Sequence, residues 1–217
     1  MINKKAVIDM ILERKLVAIL RGLDEEKLLP VAQALYDGGV RAIECTFDHK
    51  RSDCIEFNCR MIKALADHFG DSMYIGAGTV LTVEEVKAAV NAGAAFIISP
   101  NVNVSVIEET GKLGAVSMPG AMTPTEIVNA WEAGADLVKL FPAGELGAGY
   151  AKAVKAPLKH IPMLAVGSIT PENIPDFLKA GICGFGVGSP ILPKAAVESG
   201  DWDAIKRRAE EFIKVLG

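Results

Sequence analysis

Two ionisable residues sit in stretches that are otherwise apolar. Lys139 follows Leu137 and Val138 in "AGADLVKLFPAG", residues 133–144, and Glu44 follows Ala42 and Ile43 in "VRAIECTFD". Taking an ammonium or a carboxylate out of water is costly unless it is paired or neutralised. One reading is structural: the two form an ion pair, or their long side chains reach the rim. The other is chemical. A lysine held partly neutral attacks a ketone and forms a Schiff base, which draws electrons from the neighbouring carbon. A carboxylate within reach then moves the proton. Lys139 and Glu44 thus hold the two parts that an aldol cleavage needs. Burial disfavours both charges and proximity favours both, so spacing alone leaves the net shifts open.

These residues need a scaffold that brings them together. Four times a helical segment ends at a glycine and a short apolar strand follows: at Gly38–Gly39, Gly93, Gly134 and Gly181. Glycine suits the left-handed position past a helix end, and the β-branched runs after it suit strands buried on both faces. Eight strands are expected, at about 15–21, 40–47, 73–77, 95–99, 115–118, 136–141, 162–166 and 183–188. Amphipathic helices lie between them, one interrupted by Pro30, which marks either a later start or a kink. An extra helix is expected over residues 3–13. Strict alternation predicts an α/β fold, a (β/α)8 TIM barrel with an extra N-terminal helix, formed by residues 1–217 as a single domain. A doubly wound open sheet is the alternative.

In such a barrel chemistry sits at the C-terminal ends of the strands. Arg21 ends the first strand and suits a bidentate grip on a carboxylate. Thr79, in "GAGT", either helps that grip or is a helix N-cap or part of the turn before one. "AVGSIT" and "FGVGSP" place Gly167, Ser168, Gly188 and Ser189 where backbone N–H groups would take a phosphate, and the two serines would serve equally as helix caps.

Composition removes other classes. Hydrophobic residues make up 50% and charged residues 23%, with a net charge of -4 and no basic run, so a nucleic-acid partner is not expected. No apolar run nears the roughly 18 residues a spanning helix needs, so no membrane partner is expected. Asp9, Glu13, Arg14 and Lys15 interrupt the opening segment, which does not read as a signal peptide. Cys45, Cys54, Cys59 and Cys183 form no CxxC and are expected to be reduced thiols in the cytoplasm. His49, His68 and His160 lack ligand spacing, so no metal is expected.

The segments "GGVRAIECTF", "IGAGTVLT", "FIISP", "MPGAMTPTE", "VKLFPAG" and "GVGSPI" together resemble the family of 2-keto-3-deoxy-6-phosphogluconate aldolase and 4-hydroxy-2-oxoglutarate aldolase, over nearly the whole chain. The resemblance implies a cofactor-free (β/α)8 barrel, usually a homotrimer, acting on a small 2-oxo acid. It implies that Lys139 forms the Schiff base and Glu44 handles protons. Thr79 lies where the family binds the pyruvate carboxylate, and Pro100 and Phe141 would wall the pocket. Gly167, Ser168, Gly188 and Ser189 fall where the family binds a phosphate. Three positions depart from the family pattern. Asp48 stands where many members carry an arginine, which passes the carboxylate role to Arg21. Val166 replaces a threonine near the reacting carbon. Ser168 replaces a glycine, and a side chain there is less free to adopt positive φ.

The expected function is a class I, Schiff-base aldolase, a carbon–carbon lyase. It would cleave 2-keto-3-deoxy-6-phosphogluconate or its galactonate epimer to pyruvate and glyceraldehyde 3-phosphate. The closest alternative is cleavage of an unphosphorylated 4-hydroxy-2-oxo acid, such as 4-hydroxy-2-oxoglutarate, to pyruvate and glyoxylate. A sugar-phosphate epimerase or decarboxylase would need a metal or a DxKxxD cluster, neither of which is evident. A more distant alternative is a non-catalytic barrel that binds a phosphorylated metabolite.

Overall fold

The computed structural model describes residues 2–217. The strands are β1 (Leu16–Leu20), β2 (Ala42–Thr46), β3 (Tyr74–Gly78), β4 (Phe96–Ile98), β5 (Val116–Met118), β6 (Gly120–Ala121), β7 (Val138–Leu140), β8 (Met163–Val166) and β9 (Gly184–Val187). All pairings are parallel, in the order β5-β4-β3-β2-β1-β9-β8-β7-β6. The two ends of that order are one stretch of chain. Pro119 has no N–H to give, and it divides a single stave into β5, which pairs with β4, and β6, which pairs with β7. The eight expected strands are therefore present as eight staves. The open-sheet alternative fails, because β7 donates Lys139 N–H to Pro119 O at 2.9 Å and closes the ring.

Helices α2 (Glu25–Asp37), α3 (Cys54–Phe69), α4 (Val83–Asn91), α5 (Val104–Lys112), α6 (Pro124–Glu132), α7 (Ala143–Lys155), α8 (Ile174–Lys179), α9 (Lys194–Ser199) and α10 (Trp202–Leu216) surround the barrel, after the extra α1 (Lys4–Arg14). The glycines that punctuate the helix–strand pattern act as predicted: Gly39, Gly93, Gly134 and Gly181 all have positive φ. Helix α2 runs straight through Pro30, with Leu28, Val31 and Leu35 buried beneath it. Two helices start with the Thr-x-x-Glu reciprocal cap. Thr82 and Glu85 cap α4, and Thr123 and Glu126 cap α6.

Apolar residues form two layers. The outer one lies between the strands and the helices. The inner one fills the N-terminal half of the barrel with Val17, Phe96, Val116, Leu137 and Leu164, closed from below by Val7 and Ile11 of α1. A barrel packed from below leaves its inward positions free for polar groups only near the C-terminal rim. Glu44 and Lys139 occupy that level.

Candidate active site

Glu44 and Lys139 lie on β2 and β7, which are four staves apart and so face each other across the barrel. Both are buried, at 1% and 6% exposure. Among the described residues they form no direct ion pair, which removes the structural reading of a contact salt bridge. The Glu44 side chain fits because β3 carries glycine opposite it. A Cβ on Gly78 would lie 1.6 Å from Glu44 Oε1. Thr46 Oγ1 donates to Oε1 at 3.3 Å, and Oε2 is buried with no partner. An unpaired buried acceptor is rare and marks a place where a partner arrives.

Burial holds the Glu44 carboxyl above the usual carboxylate range, against the pull of Lys139, Arg21 and the Thr46 hydroxyl. Burial likewise pushes Lys139 below the ordinary lysine range; Glu44 opposes this and Arg21 adds to it. Among the described residues the Lys139 amine has no hydrogen-bond partner, and it lies 4.8 Å from the Phe141 ring centre. It opens on a cavity of about 550 Å³ that Arg21, Phe141, Val166, Gly167 and Ser168 also line. Gly188 and Ser189 lie on the same wall. The room comes from Gly186 on β9 and Gly188 just past it, which border Val166 and Ile19.

This arrangement places an amine with a depressed pKa and an arginine on one concave space, with a buried carboxyl on the stave opposite the amine, a constellation that suits chemistry on a 2-oxo acid. Residues 7–208 match the family model for KDPG and KHG aldolase. The chain belongs to this aldolase family. It is 38% identical over 177 residues to the 2-dehydro-3-deoxy-6-phosphogalactonate aldolase of Escherichia coli, covering 81% of this chain and 83% of the relative. It is 31% identical to the 2-dehydro-3-deoxy-phosphogluconate aldolase of Haemophilus influenzae, covering 97% of this chain and 96% of that one. The KDPG aldolase of Legionella pneumophila, solved with pyruvate captured as a covalent carbinolamine intermediate, superposes with a TM-score of 0.82 at 26% identity, over 92% of this chain and 94% of that one. The protein is thus an aldolase, a carbon–carbon lyase on a TIM barrel.

Within the aldolase site, three residues named from sequence are not on the lining of the Lys139 cavity: Glu44, which is buried, Pro100 and Thr79. Pro100 lines a neighbouring hollow and meets the first cavity only through Phe141, which borders both. Thr79 follows Gly78 at the rim with φ 56. Positive φ is uncommon for a β-branched residue and is retained where the surroundings enforce it. It is not a helix cap, since that place belongs to Thr82. The serines are not caps either: Asn173 and Pro193 precede α8 and α9.

The three departures from the family pattern resolve in different ways. Asp48 borders an outer hollow beside Arg51, not the Lys139 cavity, and its Oδ1 accepts from Lys50 N–H at 3.1 Å. Val166 puts a methyl-bearing wall beside the lysine, packed over Gly186. Ser168 does adopt positive φ, at 48°. Its turn is fastened from several sides: Ser168 Oγ donates to Glu145, Asn173 Nδ2 donates to Ser168 O at 2.9 Å, and Gly144 N–H donates to Gly167 O at 2.9 Å.

Sequence reading missed Gly78, Glu145 and the glycine run of β9. The alternate glycines of "GAG" and "GFGVG" were a visible signal. Glu145 had none, because its partner Ser168 is 23 residues away. The histidines make loop and surface contacts, as with His49 Nε2 at 2.8 Å from Glu85 Oε1. All four cysteines are free thiols.

Proposed function

We propose that the protein is a class I aldolase in which Lys139 is the imine-forming amine and Glu44 the proton carrier. The observation that carries this reading is the desolvated Lys139 amine, without a hydrogen bond among the described residues, opening on a cavity, with the partnerless Glu44 Oε2 buried on the opposite stave. The amine adds to the C2 carbonyl of a 2-keto-3-deoxy sugar acid, and loss of water leaves the imine. Glu44 takes the C4 hydroxyl proton as the C3–C4 bond breaks, and the bond's electron pair moves into the imine to give an enamine. The aldehyde leaves. Glu44 returns a proton to C3, and water releases pyruvate and the free amine.

Arg21 and Thr79 are assigned to the pyruvate carboxylate. The wall of Gly167, Ser168, Gly188 and Ser189 is assigned to the far end of the substrate. The favoured substrate is 2-keto-3-deoxy-6-phosphogalactonate or its gluconate epimer. The higher identity to the galactonate-phosphate enzyme of Escherichia coli supports placing the galactonate form first. The chain is proposed to act in the cytoplasm as one domain without a cofactor. It is proposed to form a homotrimer that covers the exposed Val104, Met122 and Phe141.

The test is treatment with pyruvate and borohydride, followed by peptide mass spectrometry. A reduced pyruvyl adduct on Lys139 is expected. Folded protein with pyruvate in excess and no adduct at Lys139 would overturn the mechanism. A kcat/KM comparison of phosphorylated and unphosphorylated substrates then decides between the sugar-phosphate reading and cleavage of 4-hydroxy-2-oxoglutarate.

A further inference from the structure

The Lys139 cavity extends well beyond the reacting groups, towards a rim built by α2 and α9. Lys27 of α2 and Lys194 of α9 both border it, as do Asp24 and Glu198. With Arg21 this makes three cations against the two carboxylates on the lining, so the space favours an anion. The cations are not equally available. Lys194 is exposed and its Nζ lies 3.6 Å from Glu198 Oε1. Arg21 is close enough to act on both Glu44 and Lys139, which places it at the reacting end. The Lys27 side chain is half-buried on the cavity wall and, among the described residues, has no hydrogen bond or ion pair.

The Ser168 hydroxyl on this cavity is also committed. Ser168 has one proton to donate, and Glu145 accepts it. That hydroxyl offers an incoming anion no hydrogen, and the carboxylate behind it adds a negative charge. An anion at this end therefore needs a cation from elsewhere.

We propose that Lys27 is a specificity-determining residue that pairs with the anionic terminus of the aldehyde half of the substrate. The inference rests on the aldolase reading for the identity of the bond broken, but not for the existence of the anion site. The shared chemistry is a terminal phosphate or carboxylate; Lys27 contributes a mobile point charge to either. Gly188 and Ser189 border the same space and complete the site from β9.

The experiment compares the full chain with its Lys27→Met and Lys194→Met variants. Pyruvate addition is followed with three acceptors: glyceraldehyde 3-phosphate, glyoxylate and uncharged glyceraldehyde. In Lys27→Met the preference for an anionic acceptor over glyceraldehyde, as a ratio of kcat/KM, is expected to fall about ten-fold, mostly through KM. The fall should be smaller in Lys194→Met, whose cation already has a partner. Loss confined to the phosphate acceptor identifies a phosphate terminus, and loss confined to glyoxylate identifies a carboxylate terminus. An unchanged ratio for both anions overturns the proposal.

Calorimetric binding of 3-phosphoglycerate to the same proteins, which needs no turnover, separates this inference from the aldolase reading. Weaker binding in Lys27→Met, with a reduced salt dependence, supports the anion site even if borohydride traps no pyruvate on Lys139. Equal binding in wild type and Lys27→Met overturns it even if trapping succeeds.

Discussion

Among the described residues two lysines are buried, and one of them, Lys139, borders the large cavity of the candidate site. Lys139, on β7, and Lys155, at the end of α7, are 6% and 9% exposed. Burial is the main reason that both lie below the ordinary lysine range. Their hydrogen bonding differs completely. Lys155 Nζ donates to Ile161 O at 2.6 Å and to Lys159 O at 3.3 Å, closing the turn that leads into β8. Lys139 Nζ donates to no group among the described residues and opens on a cavity, with Glu44 on the opposite stave. A depressed pKa alone therefore does not mark a nucleophile. The distinguishing features are an unengaged amine and room for a ketone beside it, which the glycine positions of β9 supply.

The largest effect expected from this contrast is on covalent chemistry. Lys139→Met should abolish pyruvate trapping and lower kcat/KM by at least about 10³-fold, because it removes the proposed nucleophile. Lys155→Met should keep the adduct but lose two carbonyl partners. About 1–3 kcal/mol of destabilisation follows from those unpaired groups, read as a fall in Tm of roughly 2–4 °C per kcal/mol. An adduct on Lys155 and none on Lys139 would reverse the comparison.

A smaller loss is expected at the facing carboxylate. Glu44→Gln keeps the shape against Gly78 but cannot carry a proton. It should lower kcat by roughly 10²–10⁴-fold while imine trapping on Lys139 survives. Loss of trapping together with turnover would mean that Glu44 positions the lysine and does not move the proton.

The smallest effect is in stability against pH. In the window between the lowered Lys139 value and the ordinary 10.5, the unfolded chain holds more protons than the folded one. Stability contributed by this site therefore rises with pH through that window, and the burial penalty is full below it. Lys139→Met removes the penalty, so its Tm advantage should be greatest near neutral pH and shrink towards pH 10. Each 1 kcal/mol relieved corresponds to about 2–4 °C. An advantage that grows with pH would show that the lysine is held charged by Glu44.

The same kind of contrast runs through the glycines of the barrel wall. Gly76 and Gly78 on β3 read in sequence like Gly184 and Gly186 on β9. In the fold, Phe96 and Glu44 fill the space beside the first pair; of the second, the space beside Gly184 is filled by Leu164 and only Gly186 borders the cavity around Val166. Alternation alone says that a side chain is missing from the inward face. It does not say whether a neighbour fills the gap or a substrate does.

What the sequence determined by itself was the part written in local patterns. Strand–helix alternation, glycines at helix ends and the Thr-x-x-Glu caps act over a few residues, so they specified the staves and the order of the barrel. The alternation of inward positions made a lysine and a glutamate in apolar strands visible as a pair before any coordinates. Tertiary structure alone decided the rest. It turned Asp48 away from the cavity, consumed the Ser168 hydroxyl on Glu145, engaged Lys155 and left Lys27 free. These outcomes depend on which side chains meet across loops and staves. Hydrogen-bond pairing and desolvation are set by those meetings, and residues 23 or 34 positions apart carry no spacing rule that announces them.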